Sequence, residues 1–230
     1  MKYLIRTFSF RRMFALGAAI ALALTCAAQP TSVVPSADWA EDMATFRAAD
    51  LAHKSPDGSV LFLGSSSIRL WKTLAADFPG VAVINRGFGG SHIVDAIVHF
   101  DDLVLPHRPR LIVFYAGSND VTSGKSPEQV AADFREFRSR VAEVLPETRI
   151  LFISAQMAPA RWEIREKFAI TNAYVAAFCA ADERLVFVDM NPHVLTPDGA
   201  PRTELYSPDM LHMGPEGYAL WRRILEPLVR

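Results

Sequence analysis

Residues 111–145 read LIVFYAGSNDVTSGKSPEQVAADFREFRSRVAEVL. Leu111 to Tyr115 are apolar, with β-branched and aromatic side chains that suit a buried strand. Beyond them, Val130, Phe134, Phe137, Val141 and Leu145 recur at three- and four-residue steps, which places them on one face of a helix. Ser126 suits the helix cap and Pro127 its first turn. A buried strand, a short loop and an amphipathic helix form half of a parallel crossover unit.

The same grammar extends in both directions. Short apolar runs at Val60–Leu63, Val81–Ile84, Ile150–Ser154 and Leu185–Val188 read as four more strands, and helical stretches are expected over Asp38–Ala52, Trp162–Ala180 and Pro215–Leu228. Strands alternating with helices predict an α/β fold. The expected architecture is a three-layer α/β/α sandwich, flavodoxin-like, around a mostly parallel five-stranded sheet. Such sheets carry their functional residues on the loops after the strand C-termini. Those loops are expected at 64–67, 85–92, 116–120, 155–161 and 189–212.

Composition narrows the function classes. Half of the 230 residues are hydrophobic and 21% are charged, so the chain has the material for a core and is not a disordered polymer. A net charge of -1 provides no basic surface for a nucleic acid. Two cysteines cannot make a disulfide scaffold, and no clustered Cys and His signature announces a metal.

Residues 1–28 read as a leader. Lys2, Arg6, Arg11 and Arg12 precede an apolar run from Met13 to Leu24, and Cys26-Ala27-Ala28 supplies small residues for cleavage after Ala28. The run falls short of the ~20 residues that span a bilayer. Export to the periplasm or the exterior is expected, with no stable membrane span in the mature chain. A lipid anchor on Cys26 is the alternative, although Ala23 and Thr25 fit it poorly. Removing the leader leaves 20 basic against 25 acidic residues and Cys179 as the remaining thiol, which reads as a core residue. Residues 29–37 form a linker rich in Pro, Ser and Thr. The division is thus leader 1–28, linker and N-terminal helix 29–54, and a catalytic domain over 55–230.

Four blocks on the predicted loops carry chemistry. Gly64-Ser65-Ser66-Ser67 follows the first strand and places a serine at a helix head, where backbone N–H groups and the dipole favour negative charge. It is not the G-x-S-x-G elbow, because Ile68 takes the place of the second glycine. Asn85-Arg86-Gly87-Phe88-Gly89-Gly90-Ser91 follows the second strand. His92 breaks the dinucleotide fingerprint there, and Asn119 breaks a P-loop that would end at Gly124-Lys125-Ser126. Ala116-Gly117-Ser118-Asn119-Asp120 offers an asparagine amide for a developing oxyanion. Finally, Asp209-Met210-Leu211-His212 delivers a histidine and a carboxylate three residues apart, enough to orient and charge-stabilise an imidazole.

Serine, glycine, asparagine and histidine in this order resemble the SGNH, or GDSL-type, hydrolase family of esterases and lipases, over about residues 55–230. The resemblance implies Ser66 as nucleophile, with Asp209 and His212 completing a triad. It further implies an oxyanion hole made by the N–H of Ser66, the N–H of Gly90 (Gly89 if the register slips by one) and the side chain of Asn119. Ser65 stands where the family motif has Asp, which puts the support of the nucleophile loop in question and leaves Ser65 and Ser67 as rival nucleophiles. The implied reaction is hydrolysis of a carboxylic ester through an acyl-serine, without cofactor or metal. Short-acyl esters, lysophospholipids and acetylated glycans all remain open as substrates. A cofactor- or carbohydrate-binding protein on the same sheet, or an acyltransferase, are the alternatives. Met157 and Trp162, in the loop after the fourth strand, are candidates to contact substrate. His53, His99 and His107 read as surface residues, His193 as a loop residue, His92 as a neighbour of the site, and Asp120 as a support of its loop. The oligomeric state is not readable.

Overall fold

The computed structural model describes residues 34–230. The expected leader, including Cys26, and the first part of the linker lie outside these residues. Five strands form one sheet: β1 (Val60–Gly64), β2 (Val83–Gly87), β3 (Leu111–Tyr115), β4 (Arg149–Ile153) and β5 (Leu185–Val188). Their order is β2-β1-β3-β4-β5, and all neighbours are parallel. The register pairs Leu61 with Ile84 on one side and with Ile112 on the other.

Around the sheet are α1 (Ala40–Ala52), α2 (Ser66–Arg69), α3 (Leu74–Asp77), α4 (Ile93–Val98), α5 (Phe100–Leu103), α6 (Ser118–Thr122), α7 (Pro127–Val144), α8 (Arg165–Ala180), α9 (Asn191–Val194) and α10 (Pro215–Val229). The period-two alternation of strand side chains divides the core into two layers. Leu61, Leu63, Ile112, Phe114, Ile150 and Phe152 face α1, α4, α5, α7 and α8. Val60, Phe62, Val113, Tyr115, Leu151 and Ile153 face α2, α3 and α10, and Trp71, between α2 and α3, and Trp221 of α10 are fully buried there. Each large side chain so buried contributes on the order of 2–3 kcal/mol. Both faces of the sheet are covered, which explains why the strands read as unbroken apolar runs.

α7 begins as its sequence requires. The Ser126 hydroxyl accepts from the Gln129 N–H, and the Ser126 N–H donates to the Gln129 side-chain oxygen. Two boundaries differ from expectation by three residues, the others by less. β2 runs to Gly87, so Asn85 and Arg86 are strand residues rather than loop residues. Arg86 is 7% exposed, ion-paired with Asp50 of α1 and stacked over Phe46, and it enters the sheet because α1 supplies those partners. The second concerns Trp162, which falls in a 3₁₀ segment, Pro159–Ile164, so that α8 starts only at Arg165.

His107 departs further. It is 3% exposed, with its Nδ1 2.8 Å from the Ser55 hydroxyl and its Nε2 3.7 Å from Asp50. Burial, with Arg86 beside it, pushes its pKa down to about 4 against the opposing pull of Asp50. His193 lies in the short helix α9 rather than in a loop. Cys179 is buried, which raises its thiol to about 12. No described helix is long and apolar enough to cross a membrane.

Candidate active site

The chain leaves β1 for β2 on one side and returns to β3 on the other, so the C-terminal ends of β1 and β3 flank the point where the strand order reverses. Crevices in parallel sheets open there. Gly64 ends β1 at φ +146°, and a Cβ on it would stand 2.0 Å from the Tyr115 carbonyl oxygen. Only glycine permits this approach, which lets the Ser65 N–H donate to Tyr115 O at 3.1 Å. The turn delivers Ser66 as the first residue of α2. Its neighbours Ser65 and Ser67 are buried, at 5% and 7% exposure, while Ser66 reaches the surface of the cleft.

Beyond the backbone bonds of Ser65, side-chain support for this turn comes from other segments of the chain. The Asn85 amide donates to Ile68 O at 2.7 Å, and the Tyr218 hydroxyl donates to Ser67 O at 2.8 Å. Asn85 Oδ1 also accepts the Gly87 N–H. A Cβ on Gly87 would lie 2.1 Å from the Arg69 nitrogen, so α2 rests directly on the end of β2.

On the far side of the cleft, Asp209 and His212 share one tight turn. Asp209 Oδ1 accepts from both the Leu211 and His212 N–H groups at 3.0 Å, and Met210 adopts φ +55° to close the turn. Asp209 Oδ2 lies 2.6 Å from His212 Nδ1, and His212 Nε2 lies 2.8 Å from the Ser66 hydroxyl. The hydrogen bond from His212 is the chief cause holding the Asp209 carboxyl down to about 2, aided by the backbone donors. The carboxylate is thus ionised throughout the neutral range. Of the three adjacent serines, Ser66 alone among the described contacts meets the histidine.

Asn119 sits in the first turn of α6, after β3. Its Nδ2 donates to Ser91 O at 3.1 Å, which links it to the glycine loop. In that loop Gly90 adopts φ +92°. Neither the Ser66 nor the Gly90 N–H donates to another described residue. Asp120 supports the same region: it is fully buried, accepts the Ile93 N–H at 3.2 Å and pairs with Lys125 at 2.9 Å. His92 precedes α4 and is not among the residues lining the cleft.

The loop after β4 contributes a residue that motif reading passes over. Met157 packs against the core and Trp162 lies under Arg165, with the guanidinium carbon 5.0 Å from its ring centre, and neither lines the cleft. Arg161 does line it. Its guanidinium donates to Ser118 Oγ at 2.6 Å and to Asn119 Oδ1 at 2.8 Å. Nothing in the spelling of the loop distinguishes this arginine from a surface one. With Ser118, Gln156 and Ala158 it lines one narrow cleft together with Ser66, about 10 Å³ in volume. A larger groove of about 670 Å³ between α4, α5 and α7 holds none of these groups.

This geometry belongs to a sequence that matches the GDSL-like Lipase/Acylhydrolase family over residues 31–220. The chain belongs to that family. The match begins before the expected domain start at 55 and takes in α1. As a GDSL-like acylhydrolase, the protein is a carboxylic ester hydrolase. No curated protein matches it in sequence. Solved structures similar to it include a Streptococcus pneumonia protein described as a platelet activating factor. That structure has 19% identity and a TM-score of 0.74, over 83% of this chain and 92% of that one. A GDSL-like lipase from Bacteroides thetaiotaomicron shares 22% identity at a TM-score of 0.70, over 81% and 96%. An acetyl-xylooligosaccharide esterase from Geobacillus shares 16% at a TM-score of 0.58, over 77% and 96%. At these identities the likeness is one of fold, and it agrees with the all-parallel α/β sheet of this GDSL-like chain.

Proposed function

We propose that this GDSL-like hydrolase cleaves short-acyl esters, of acetyl size, through an acyl-enzyme on Ser66. The supporting observation is the continuous chain of contacts from Ser66 through His212 to Asp209. In this reading His212 takes the Ser66 proton as the hydroxyl attacks the ester carbonyl. The tetrahedral oxyanion is held by the N–H groups of Ser66 and Gly90 and by the Asn119 amide. Asp209 holds the ring in the tautomer with its proton on Nδ1 and stabilises the imidazolium. His212 then protonates the leaving alcohol, and water repeats the sequence on the acyl-serine to release the acid.

The restriction to a small acyl group rests on the narrow cleft that Arg161, Ser118, Gln156 and Ala158 line together with Ser66, about 10 Å³ in volume. The acetyl esterase among the structural relatives is in keeping with this size. An acetylated glycan of the cell envelope is a substrate class that fits the expected export. Hydrolysis of p-nitrophenyl esters from acetate to octanoate, by wild type and Ser66→Ala, tests the reading. Acetate should be the best substrate, and Ser66→Ala should lower kcat on the order of 10⁴–10⁶-fold. Equal activity in the two proteins would remove Ser66 from the mechanism, and an optimum at octanoate would remove the acyl-size argument.

A further inference from the structure

We propose that Arg161 is a positioning residue that fixes and polarises the Asn119 amide for the oxyanion. The inference rests on the mechanism proposed above. An asparagine amide can present either oxygen or nitrogen to a site, and its partners decide which. Here the two partners are unambiguous. The guanidinium of Arg161, which can only donate, lies 2.8 Å from Oδ1, and the Ser91 carbonyl, which can only accept, lies 3.1 Å from Nδ2. A flipped amide would face oxygen with oxygen and N–H with N–H. With one Nδ2 proton given to Ser91 O, the second meets no other described residue, and Asn119 and Ser66 line the same cleft.

The guanidinium is itself held. Its other arm donates to Ser118 Oγ, and the backbone that carries it is pinned: the Arg161 main-chain N–H donates to Ala158 O at 2.9 Å, and the Ala160 N–H donates to Met210 O at 2.9 Å. That last bond joins the arginine segment to the turn that carries His212. No described carboxylate stands within 4.0 Å of the guanidinium. The contacts the charge does make are neutral acceptors, and partial burial works against its protonated form. A desolvated cation without a counter-ion does not serve stability. Its uncancelled charge pulls on Oδ1, and hydrogen bonds in series strengthen one another, so Nδ2–H becomes the better donor as negative charge develops on the substrate oxygen. The planar fork is needed to reach Ser118 and Asn119 together, which an ammonium cannot do in the same way.

A double-mutant cycle on p-nitrophenyl acetate tests this, using Arg161→Met, Asn119→Ala and the pair, with Arg161→Lys and Ser66→Ala alongside. Arg161→Met should lower kcat about 10–100-fold with KM changed less than about threefold, and Arg161→Lys should recover only part of the loss. In the Asn119→Ala background, Arg161→Met should change kcat less than about twofold, because its effect passes through that amide. Multiplying losses would overturn the role, as would an effect confined to KM, which would make Arg161 a reader of the substrate. Should Arg161→Met not fold, Arg161→Lys decides the question in the same cycle. Activity retained in Ser66→Ala would sink the mechanism itself. An inactive Ser66→Ala with multiplying losses would sink only the role of Arg161.

Discussion

Acidification should loosen this protein through His107, and the loss can be worked from its surroundings. The ring is buried among Ser55, Asp50 and Arg86 and resists protonation until about pH 4, against an ordinary histidine value of 6.5. The folded pKa is therefore depressed. As pH falls through 6.5 the unfolded chain takes up the proton first, and unfolding gains. Stability from this group is complete above 6.5, declines between 6.5 and 4, and is gone below. The linkage relation gives a loss of about 2 kcal/mol between pH 7 and pH 5 from this residue. Urea unfolding followed by tryptophan fluorescence at steps across that range measures it. His107→Asn supplies the comparison, since the amide can meet the Ser55 hydroxyl but takes up no proton. The variant starts from lower stability because packing is lost, yet its decline with acid should be shallower by about 2 kcal/mol. Parallel declines in the two proteins would refute the buried neutral state.

Asp209→Asn should lower kcat by about 10²–10⁴-fold, less than Ser66→Ala, because the amide can still accept the backbone bonds but cannot stabilise the imidazolium. With the wild-type carboxyl held down to about 2, the acid limb of kcat/KM should also be free of a carboxylate step near its ordinary pKa of 3.8. A break there in the pH–rate profile would contradict the Asp209–His212 pairing. We propose that the leader is removed after Ala28, so N-terminal sequencing of the mature protein should begin at Gln29. A chain beginning at a lipid-modified Cys26 would favour the anchor instead.

Much of the architecture was legible because parallel strands are buried on both faces and therefore spell themselves as short apolar runs. β1, β3, β4 and β5 follow that rule. β2 does not, because its last residues, Asn85-Arg86-Gly87, are polar or bare, and what admits them to the sheet is Asp50 and Phe46, far upstream on α1. His107 was misread for the same reason. Its Pro-flanked sequence looks exposed, and only the folded chain brings Ser55 and Asp50 to it. The glycine, asparagine and Asp-x-x-His blocks were visible because backbone turns and a three-residue spacing leave marks in sequence. Arg161 left none. Its partners Ser118 and Asn119 come from another loop, and an arginine between Ala160 and Trp162 has no local signature. The absence of Asp before Ser66 raised a doubt that Asn85 and Tyr218 answer, again from distant segments.

The contact between Ser66 and His212 spans 146 residues of sequence, which has a consequence for timing. While a ribosome is still making the chain, the hydroxyl at position 66 has no base within reach. It gains one only after all five strands and the turn at 209–212 exist. The same holds in reverse when a protease trims the protein, since a cut that releases the segment carrying His212 silences the serine at once. On the mechanism proposed above, partial products of synthesis or degradation should therefore be inert toward esters, because the Ser66–His212 contact forms only in a chain that carries the whole sheet.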